Sequence, residues 1–283
     1  MKASGIIIAA ACMILSISGF AQGQITTRRE KLKDFSSKTT KVVIPDDEFL
    51  AEALREGVTS SWTVTPYEFC TKEEFEKNKT NDNFYFLLIV NGKMRKESEP
   101  GIKMLTLVKG GDGATKSVND MLEVVTFPLC SATGSSGREL VMIPAILTIM
   151  QKHASSLTDS ELKAYMGIKV SPKDTKGLSK RRVYLSRDDI APQVSESSLR
   201  DLNEDFVVED EDTVDSIFTD KTYNACVSYV VAPEEPSSGA VCYKMIISAD
   251  TYKLFYYKKH KITARKGIGF LPSDIKEING LMK

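Results

Sequence analysis

Histidine is scarce in this sequence, and its scarcity argues against several kinds of active site. The 283 residues include two histidines, His153 and His260. Neither has a second histidine at the spacing of a zinc-binding motif. A histidine-based catalytic metal centre is therefore not expected, and the sequence indicates no other cofactor.

Motifs for nucleophiles and phosphate binding are also missing, although two segments approach them. The segment VKGGDGATKS, residues 108–117, has Thr115 where a phosphate-binding loop needs its second glycine, and it does not lead into a helix. The segment TGSSGREL, residues 133–140, lacks the Gly-x-Ser-x-Gly spacing of a nucleophile elbow. We therefore predict a hairpin loop at 109–120, a loop before a helix at 133–137, and no catalytic residue.

Net charge is absent as well, since 38 lysines and arginines balance 38 aspartates and glutamates. Nucleic acids and anionic lipids attract clustered positive charge. Nucleic acid is therefore not an expected partner. The remainder of the chain after residue 21 has no apolar run of about 20 residues, the length that a transmembrane helix needs, so no transmembrane segment is predicted there.

The apolar run of the N-terminus predicts export. Lys2 precedes an apolar stretch at 6–17, and Gly19 and Ala21 supply the small residues of a cleavage site. This pattern is typical of a secretory signal peptide over 1–21, with cleavage near Ala21. The alternative, a membrane anchor, needs a longer run. The expected location is the periplasm or the exterior of the cell.

The chain also contains an internal duplication. Residues 41–90 and 182–231 show the same order of apolar runs, paired aspartates and helix-like segments. The later matches are KMLTLV with YKMIIS, LEVVTF with YKLFYY, and MIPAILTIM with FLPSDIKEI. The predicted organisation is an N-terminal segment, a first repeat, a linker and a second repeat, at 22–40, 41–157, 158–180 and 181–283.

Each copy reads as an α/β (or α+β) unit in the order β-α-β-α-β-β-β-α, with helices packed on a mixed sheet. Asp46 and Asp47 in the first copy, and Asp188 and Asp189 in the second, are expected to cap the first helix of their unit. Two questions stay open: whether the copies share one sheet, and whether the apolar helix of the first copy packs between them.

Four cysteines follow the predicted cleavage site: Cys70, Cys130, Cys226 and Cys242. None of them forms a Cys-x-x-Cys pair, so a redox-active pair of the thioredoxin type is not supported. Cys226 and Cys242 fall on consecutive predicted strands and are candidates for a disulfide in an oxidising compartment. Buried free thiols are the alternative.

Two surface features are candidates for partner binding. The first is a basic and aromatic run comprising Tyr257, Lys258, Lys259, His260 and Lys261. The exposed face of an edge strand is the alternative explanation, because lysines there discourage aggregation. The second is Trp62, which is predicted to begin the second strand and is either an exposed anchor or a core residue.

The segments VVIPDDEFLAEALREG, residues 42–57, and WTVTPYEF, residues 62–69, resemble the amino-terminal domain of TolB and envelope lipoproteins of the curli-secretion type. The chain as a whole is similar to exported proteins of Gram-negative gut bacteria. The resemblance implies a domain that contacts other proteins in the cell envelope and has no catalytic role. It assigns no functional residue, because the chain has neither a lipobox nor a propeller.

The leading hypothesis is an exported, non-catalytic binding or assembly module whose partner is an envelope protein or a glycan. The alternative is a secreted hydrolase, or a small-ligand-binding protein with its site between the two repeats. Two or three carboxylates of perturbed pKa in a deep pocket would favour the enzyme. An exposed apolar patch or an uncovered strand edge would favour the binding module.

Overall fold

The protein consists of two similar α/β units, which the structure, a computed structural model, describes over residues 27–134 and 136–283. The predicted signal peptide, residues 1–21, lies outside the described residues. None of the described helices is long and apolar enough to cross a membrane.

The first unit follows a short helix, α1 (Arg28–Leu32), and precedes another, α5 (Glu161–Tyr165). Its elements are β1 (Thr39–Val43), α2 (Glu48–Ser61), β2 (Tyr67–Cys70), α3 (Lys72–Asn78), β3 (Phe84–Gly92), β4 (Ile102–Lys109), β5 (Leu122–Ser131) and α4 (Arg138–Ser156). The second unit consists of β6 (Arg182–Ser186), α6 (Glu196–Arg200), β7 (Phe206–Glu209), α7 (Glu211–Thr219), β8 (Ala225–Val231), β9 (Val241–Ser248), β10 (Leu254–Lys261) and α8 (Pro272–Leu281).

The two sheets have the same topology. The strand orders are β2-β1-β3-β4-β5 and β7-β6-β8-β9-β10. In each sheet the first three strands of the unit run parallel, and the last two pair antiparallel. The predicted α/β fold with two similar units is confirmed, and the units form separate five-stranded sheets.

The first crossover differs between the units. In the first unit, the Asp47 side chain accepts from Leu50 N at 3.0 Å and caps α2, a helix of 14 residues. In the second unit, a three-residue 3₁₀ helix, Arg187–Asp189, takes the place of that helix start, and it contains both aspartates and is capped by Ser186. The expectation that Asp188 and Asp189 cap a helix was therefore wrong. Pro192 follows three residues later, and a proline disfavours helical conformation in the residue before it and removes a backbone donor.

The two units pack against each other through different faces, and α4 lies between them. Helices α2 and α4 cover one face of the first sheet, and α3 covers the other. In the second unit α8, the counterpart of α4, covers one face, while α7 contributes Val214 and Phe218 to the cluster on the opposite face. That cluster also contains Met142, Ile146 and other residues of α4. The apolar helix therefore lies between the units, one of the two arrangements left open by the sequence.

The glycine-rich segment is the loop between β4 and β5, as predicted. It covers the α3 face of the first sheet, where Ala114 and Met121 pack with Phe75 and Phe86. A side chain at Gly110 would collide with the carbonyl oxygen of Asn81, so glycine permits the close approach of the loop. In the second unit the counterpart of this face packs against the first unit, and the loop is a short turn.

Candidate functional site

Each unit has a crevice at the carboxyl ends of its first and third strands, β1 and β3 or β6 and β8. In the first unit, the connections that follow β1 and β2 pass through α2 and α3 on opposite faces of the sheet. Ligands of open α/β sheets bind where successive connections diverge in this way. We call the two sites the first crevice and the second crevice.

The side chain of Arg138, the first residue of α4, occupies the second crevice. Its Nη1 lies 3.2 Å and 3.3 Å from the two carboxylate oxygens of Asp189, and its Nη2 donates to the carbonyl of Ser228 at 3.0 Å. Its Nε donates to Asp215 at 2.9 Å, and Glu211 lies 3.4 Å from Nη1. An arginine of the first unit is thus held entirely by groups of the second.

The centre of this cluster is buried and hydrogen-bonded. The side chains of Arg138 and Asp189 are each 5% exposed. The Ser228 hydroxyl donates to Asp189 at 2.5 Å and accepts from Ser186 N at 2.8 Å. The guanidinium carbon also lies 5.6 Å from the centre of the Tyr229 ring. These contacts offset the cost of removing the charges from water.

The electrostatics of the second crevice are dominated by acid. Burial lowers the pKa of Arg138, but Asp189 and Asp215 outweigh burial and raise it above its ordinary value. Burial raises the pKa of Glu211 and of Asp215 above their ordinary values, although Arg138 acts in the opposite direction on both. One cation therefore holds three carboxylates, and a cavity of about 220 Å³ remains.

The first crevice is open, with a cavity of about 440 Å³. Its floor is apolar and is formed by Ile44, Leu50, Phe75, Leu88 and Ile89. Its polar lining consists of Asp46, Asp47, Lys72, Glu76, Asn91 and Lys103. An apolar cavity of a few hundred Å³ with a few polar groups is the usual form of a small-ligand site.

Most charges of the first crevice already have partners. Lys72 forms an ion pair with Asp46, Glu76 pairs with Lys79 at 2.6 Å, and Asp47 caps α2. The Lys103 side chain is half-buried and forms neither an ion pair nor a hydrogen bond with any residue that the structure describes. Among the charged side chains of the lining, its ammonium group is therefore the one without a direct partner in the described part of the chain.

Differences at three equivalent positions separate the crevices. Lys72 and Glu211 are each the first residue of the second helix of their unit. Leu87 and Ser228 are each the fourth residue of the third strand, and Leu88 and Tyr229 follow them. Lys72 replaces Glu211, Leu88 replaces Tyr229, and Leu87 replaces a serine whose hydroxyl binds Asp189. The first crevice keeps a carboxylate, Glu76, at the position of Asp215, the fifth residue of the second helix. It therefore lacks one of the acidic groups and the aromatic ring that hold the guanidinium in the second.

Trp62 is a core residue and was wrongly placed at the start of a strand. It ends α2 as the C-terminal cap and is 4% exposed. Its indole nitrogen donates to the Thr65 hydroxyl at 2.8 Å. The exposed-anchor alternative is excluded, because the ring is buried in the cluster around α4.

The basic run lies on β10, an edge strand of the second sheet. Tyr257 is half-buried and stacks on Phe127 of β5, with ring centres 5.3 Å apart, so it belongs to the junction of the units. Lys258, Lys259 and Lys261 are exposed. Lys258 pairs with Glu277, Lys259 lies over the Tyr243 ring, and His260 contacts Gly267 O at 2.9 Å. These contacts agree with the edge-strand alternative, and partner binding there stays a prediction.

The four described cysteines are free and buried. Cys226 pairs across strands with Ser248, whereas Cys242 pairs with His260 on β10. The register therefore places them at opposite ends of the β8–β9 pair, and the candidate disulfide is not formed. Burial raises the pKa of the Cys226 thiol to about 12 and that of Cys242 to about 11.

The two histidines are distant in sequence, and neither has an acidic partner in hydrogen-bond contact among the described residues. Burial lowers the pKa of both His153 and His260. Within residues 27–134 and 136–283, no group of three or more histidine, cysteine, aspartate or glutamate side chains is placed to hold a metal ion.

Sequence reasoning missed Arg138, although a signal was present. A cation in the first turn of a helix opposes the helix dipole, so it needs a separate cause. Arg138 begins the apolar α4 directly after Gly137, whose backbone is left-handed and which supplies no side-chain cap. Its burial among acidic groups of the other unit is that cause.

Comparisons of the chain with protein-family models, curated proteins and solved structures found no match. The resemblance to envelope proteins therefore stays a prediction.

Proposed function

We propose that this chain is an exported binding module and that its ligand enters the first crevice. One observation carries the proposal: the same crevice occurs twice among the described residues, and an arginine of the other unit occupies one copy. With Arg138 in place the second crevice keeps about 220 Å³, whereas the first keeps a cavity of about 440 Å³. Export rests on the sequence pattern of residues 1–21 alone.

The chemistry of the first crevice supports binding. Its floor offers apolar contact, and its rim carries Asn91 and Lys103 beside the paired charges of Asp46 and Lys72. Such a combination gives affinity through apolar burial and orientation through a few polar groups. The described lining contains no serine, threonine, cysteine or histidine side chain, and its amine nearest a carboxylate, Lys72, is held in an ion pair with Asp46, so the arrangement suits retention of a ligand better than its conversion.

The hydrolase alternative would require the acidic groups of the second crevice to act on a substrate. Two of them, Glu211 and Asp215, have raised pKa values, which is a feature of catalytic acids. Both groups are instead ion-paired with Arg138, and this arginine connects the two units. We therefore assign these carboxylates a structural role in the proposed function.

Blocking the cavity tests the proposal. We expect Asn91→Trp to fill the mouth of the first crevice, because Asn91 is exposed and lies in the lining. The matched control is Glu123→Trp, which adds the same side chain at an exposed position at the other end of the first sheet. Proteins purified from envelope extract would be compared by native mass spectrometry for bound small molecules.

The proposal expects a bound mass in the wild type and in the control, and its loss in Asn91→Trp. A third variant reverses the charge at Lys258, Lys259 and Lys261 to test the β10 surface. Loss of the bound species in this variant, with retention in Asn91→Trp, would place binding on β10 and refute the proposed site.

A further inference from the structure

We infer that the ligand of the first crevice is an amphipathic molecule with an apolar chain and a single anionic head group, and that Lys103 binds the head. The inference rests on the proposed function and specifies its ligand class. The cavity supplies both requirements, since its floor is apolar and the charged group of its lining that lacks a direct partner among the described residues is a lysine.

The sign of the head group follows from the charges that are already paired. Lys72 is paired with Asp46, Glu76 with Lys79, and Asp47 with the amide at the start of α2. Each of these carboxylates has a favourable partner without a ligand. Lys103 has none among the described residues, so an anion that reaches it gains a charge-assisted hydrogen bond without displacing an existing one.

The position of Lys103 favours a single head group. Lys103 lies on β4 directly opposite Asn91 of β3 in the strand register. Both residues line the cavity, so an ammonium group and an amide flank the same point. An amide N–H also donates hydrogen bonds to a carboxylate, although more weakly than a charged ammonium does. A small planar anion fits these two donors.

The apolar chain has a surface to lie on. Ile44, Leu50, Phe75 and Leu88 form the floor, and Leu50 begins the apolar stripe of α2. Phe49, the residue before it, is 77% exposed. Phe49 is not among the residues that line the cavity, so the contact with a hydrocarbon chain rests on the four floor residues.

A cationic ligand is disfavoured by the same comparison that identified the site. The second crevice binds a cation with three carboxylates, a backbone carbonyl and the Tyr229 ring. The first crevice has Lys72 at the position of Glu211 and Leu88 at that of Tyr229. It therefore offers a cation one carboxylate fewer and no aromatic face, and Glu76, at the position of Asp215, is already paired with Lys79.

The test is isothermal titration calorimetry of the exported chain with three ten-carbon probes: decanoate, decanol and decyltrimethylammonium. We expect decanoate to bind most tightly and the cation most weakly. Affinity should rise about fourfold for each methylene added between octanoate and decanoate, because each buried methylene contributes about 0.8 kcal/mol.

Variants at position 103 test the role assigned to the lysine. Lys103→Met keeps the length of the side chain and removes its charge, so decanoate should bind about tenfold more weakly and decanol equally well. Lys103→Arg should retain most of the affinity. The control is Lys93→Met, which removes an exposed lysine outside the cavity lining and should change nothing.

The outcomes separate this inference from the proposed function. If decanoate and decanol bind equally and both lose affinity in Asn91→Trp, the site is a binding site but the anionic head group is refuted. If decanoate binding persists unchanged in both Lys103→Met and Asn91→Trp, or if no probe binds, the ligand class and its site in the first crevice are both refuted.

Discussion

The two crevices have the same position in the same fold and different contents. In the second, Asp189, Glu211 and Asp215 surround a buried arginine that comes from the other unit. In the first, the charges pair locally and a cavity of about 440 Å³ remains, larger than the cavity of about 220 Å³ left in the second. The difference arises because only the second crevice faces the N-terminus of α4. A duplicated unit can therefore use one copy of a site to hold the molecule together and leave the other copy available.

The largest expected effect comes from removing the shared arginine. Arg138→Met should lower the free energy of unfolding by about 3–5 kcal/mol, because three carboxylates would lose their counter-charge at a buried site. Urea denaturation measures this difference. The control is Arg182→Met, since Arg182 and Asp205 are 3.6 Å apart and about half exposed, and such a pair contributes less than about 1 kcal/mol. Equal losses of unfolding free energy in the two variants would contradict the stabilising role assigned to Arg138 in the second crevice.

The loss of stability caused by Arg138→Met should depend on pH. Glu211 and Asp215 have raised pKa values in the folded protein because of burial, and Arg138 limits the rise. A carboxyl group whose folded pKa exceeds its unfolded pKa stabilises the fold at low pH, and this contribution is lost as the pH rises through the folded value. Without Arg138 both pKa values should rise further.

The stability deficit of Arg138→Met relative to the wild type should therefore be larger near pH 7 than near pH 5. Thermal unfolding followed by circular dichroism at several pH values would measure the deficit. A deficit that is constant over this interval would show that the carboxylates do not respond to the loss of the arginine.

Much of the architecture was predictable from local patterns. The apolar runs of β3 and β4, the helical stripe of α2 and the order of elements in the two copies all reflect burial, which operates at the scale of a few residues. The loop between β4 and β5 was predictable for the same reason, since its counterpart is a turn between strands. These features require no knowledge of how the units pack.

The contents of the crevices were not predictable in the same way. Asp47 and Asp189 follow the same two-aspartate pattern, yet one caps a helix and the other binds an arginine 51 residues away in sequence. Pro192 was the local sign that the second pair does not begin a long helix. That Asp189 binds Arg138 depends on how the two units pack around α4. The sequence near Asp189 contains no pattern that encodes this packing.

Substituting these two aspartates tests that distinction with matched changes. Asp189→Ala should lower the free energy of unfolding by about 2–3 kcal/mol, because Arg138 loses a buried partner and the Ser228 hydroxyl loses its acceptor. Asp47→Ala should cost about 1 kcal/mol, the usual effect of removing an N-terminal cap. Chemical denaturation of both variants gives the two values. A larger loss for Asp47→Ala would contradict the assignment of Asp189 to the stabilising ion pair and of Asp47 to a helix cap alone.

The smallest effect is expected at the rim of the first crevice. The side chains of Asp46 and Lys72 are 83% and 52% exposed, so Asp46→Asn should change the free energy of unfolding by less than about 1 kcal/mol. Asp188→Asn is the matched change in the second unit, and Asp188 is also exposed. The comparison is again chemical denaturation. If Asp46→Asn destabilised the chain as much as Asp189→Ala, the rim charges would be needed for folding. A small loss would instead show that the ion pair at the rim of the first crevice contributes little to folding, in contrast to the buried ion pair between Arg138 and Asp189.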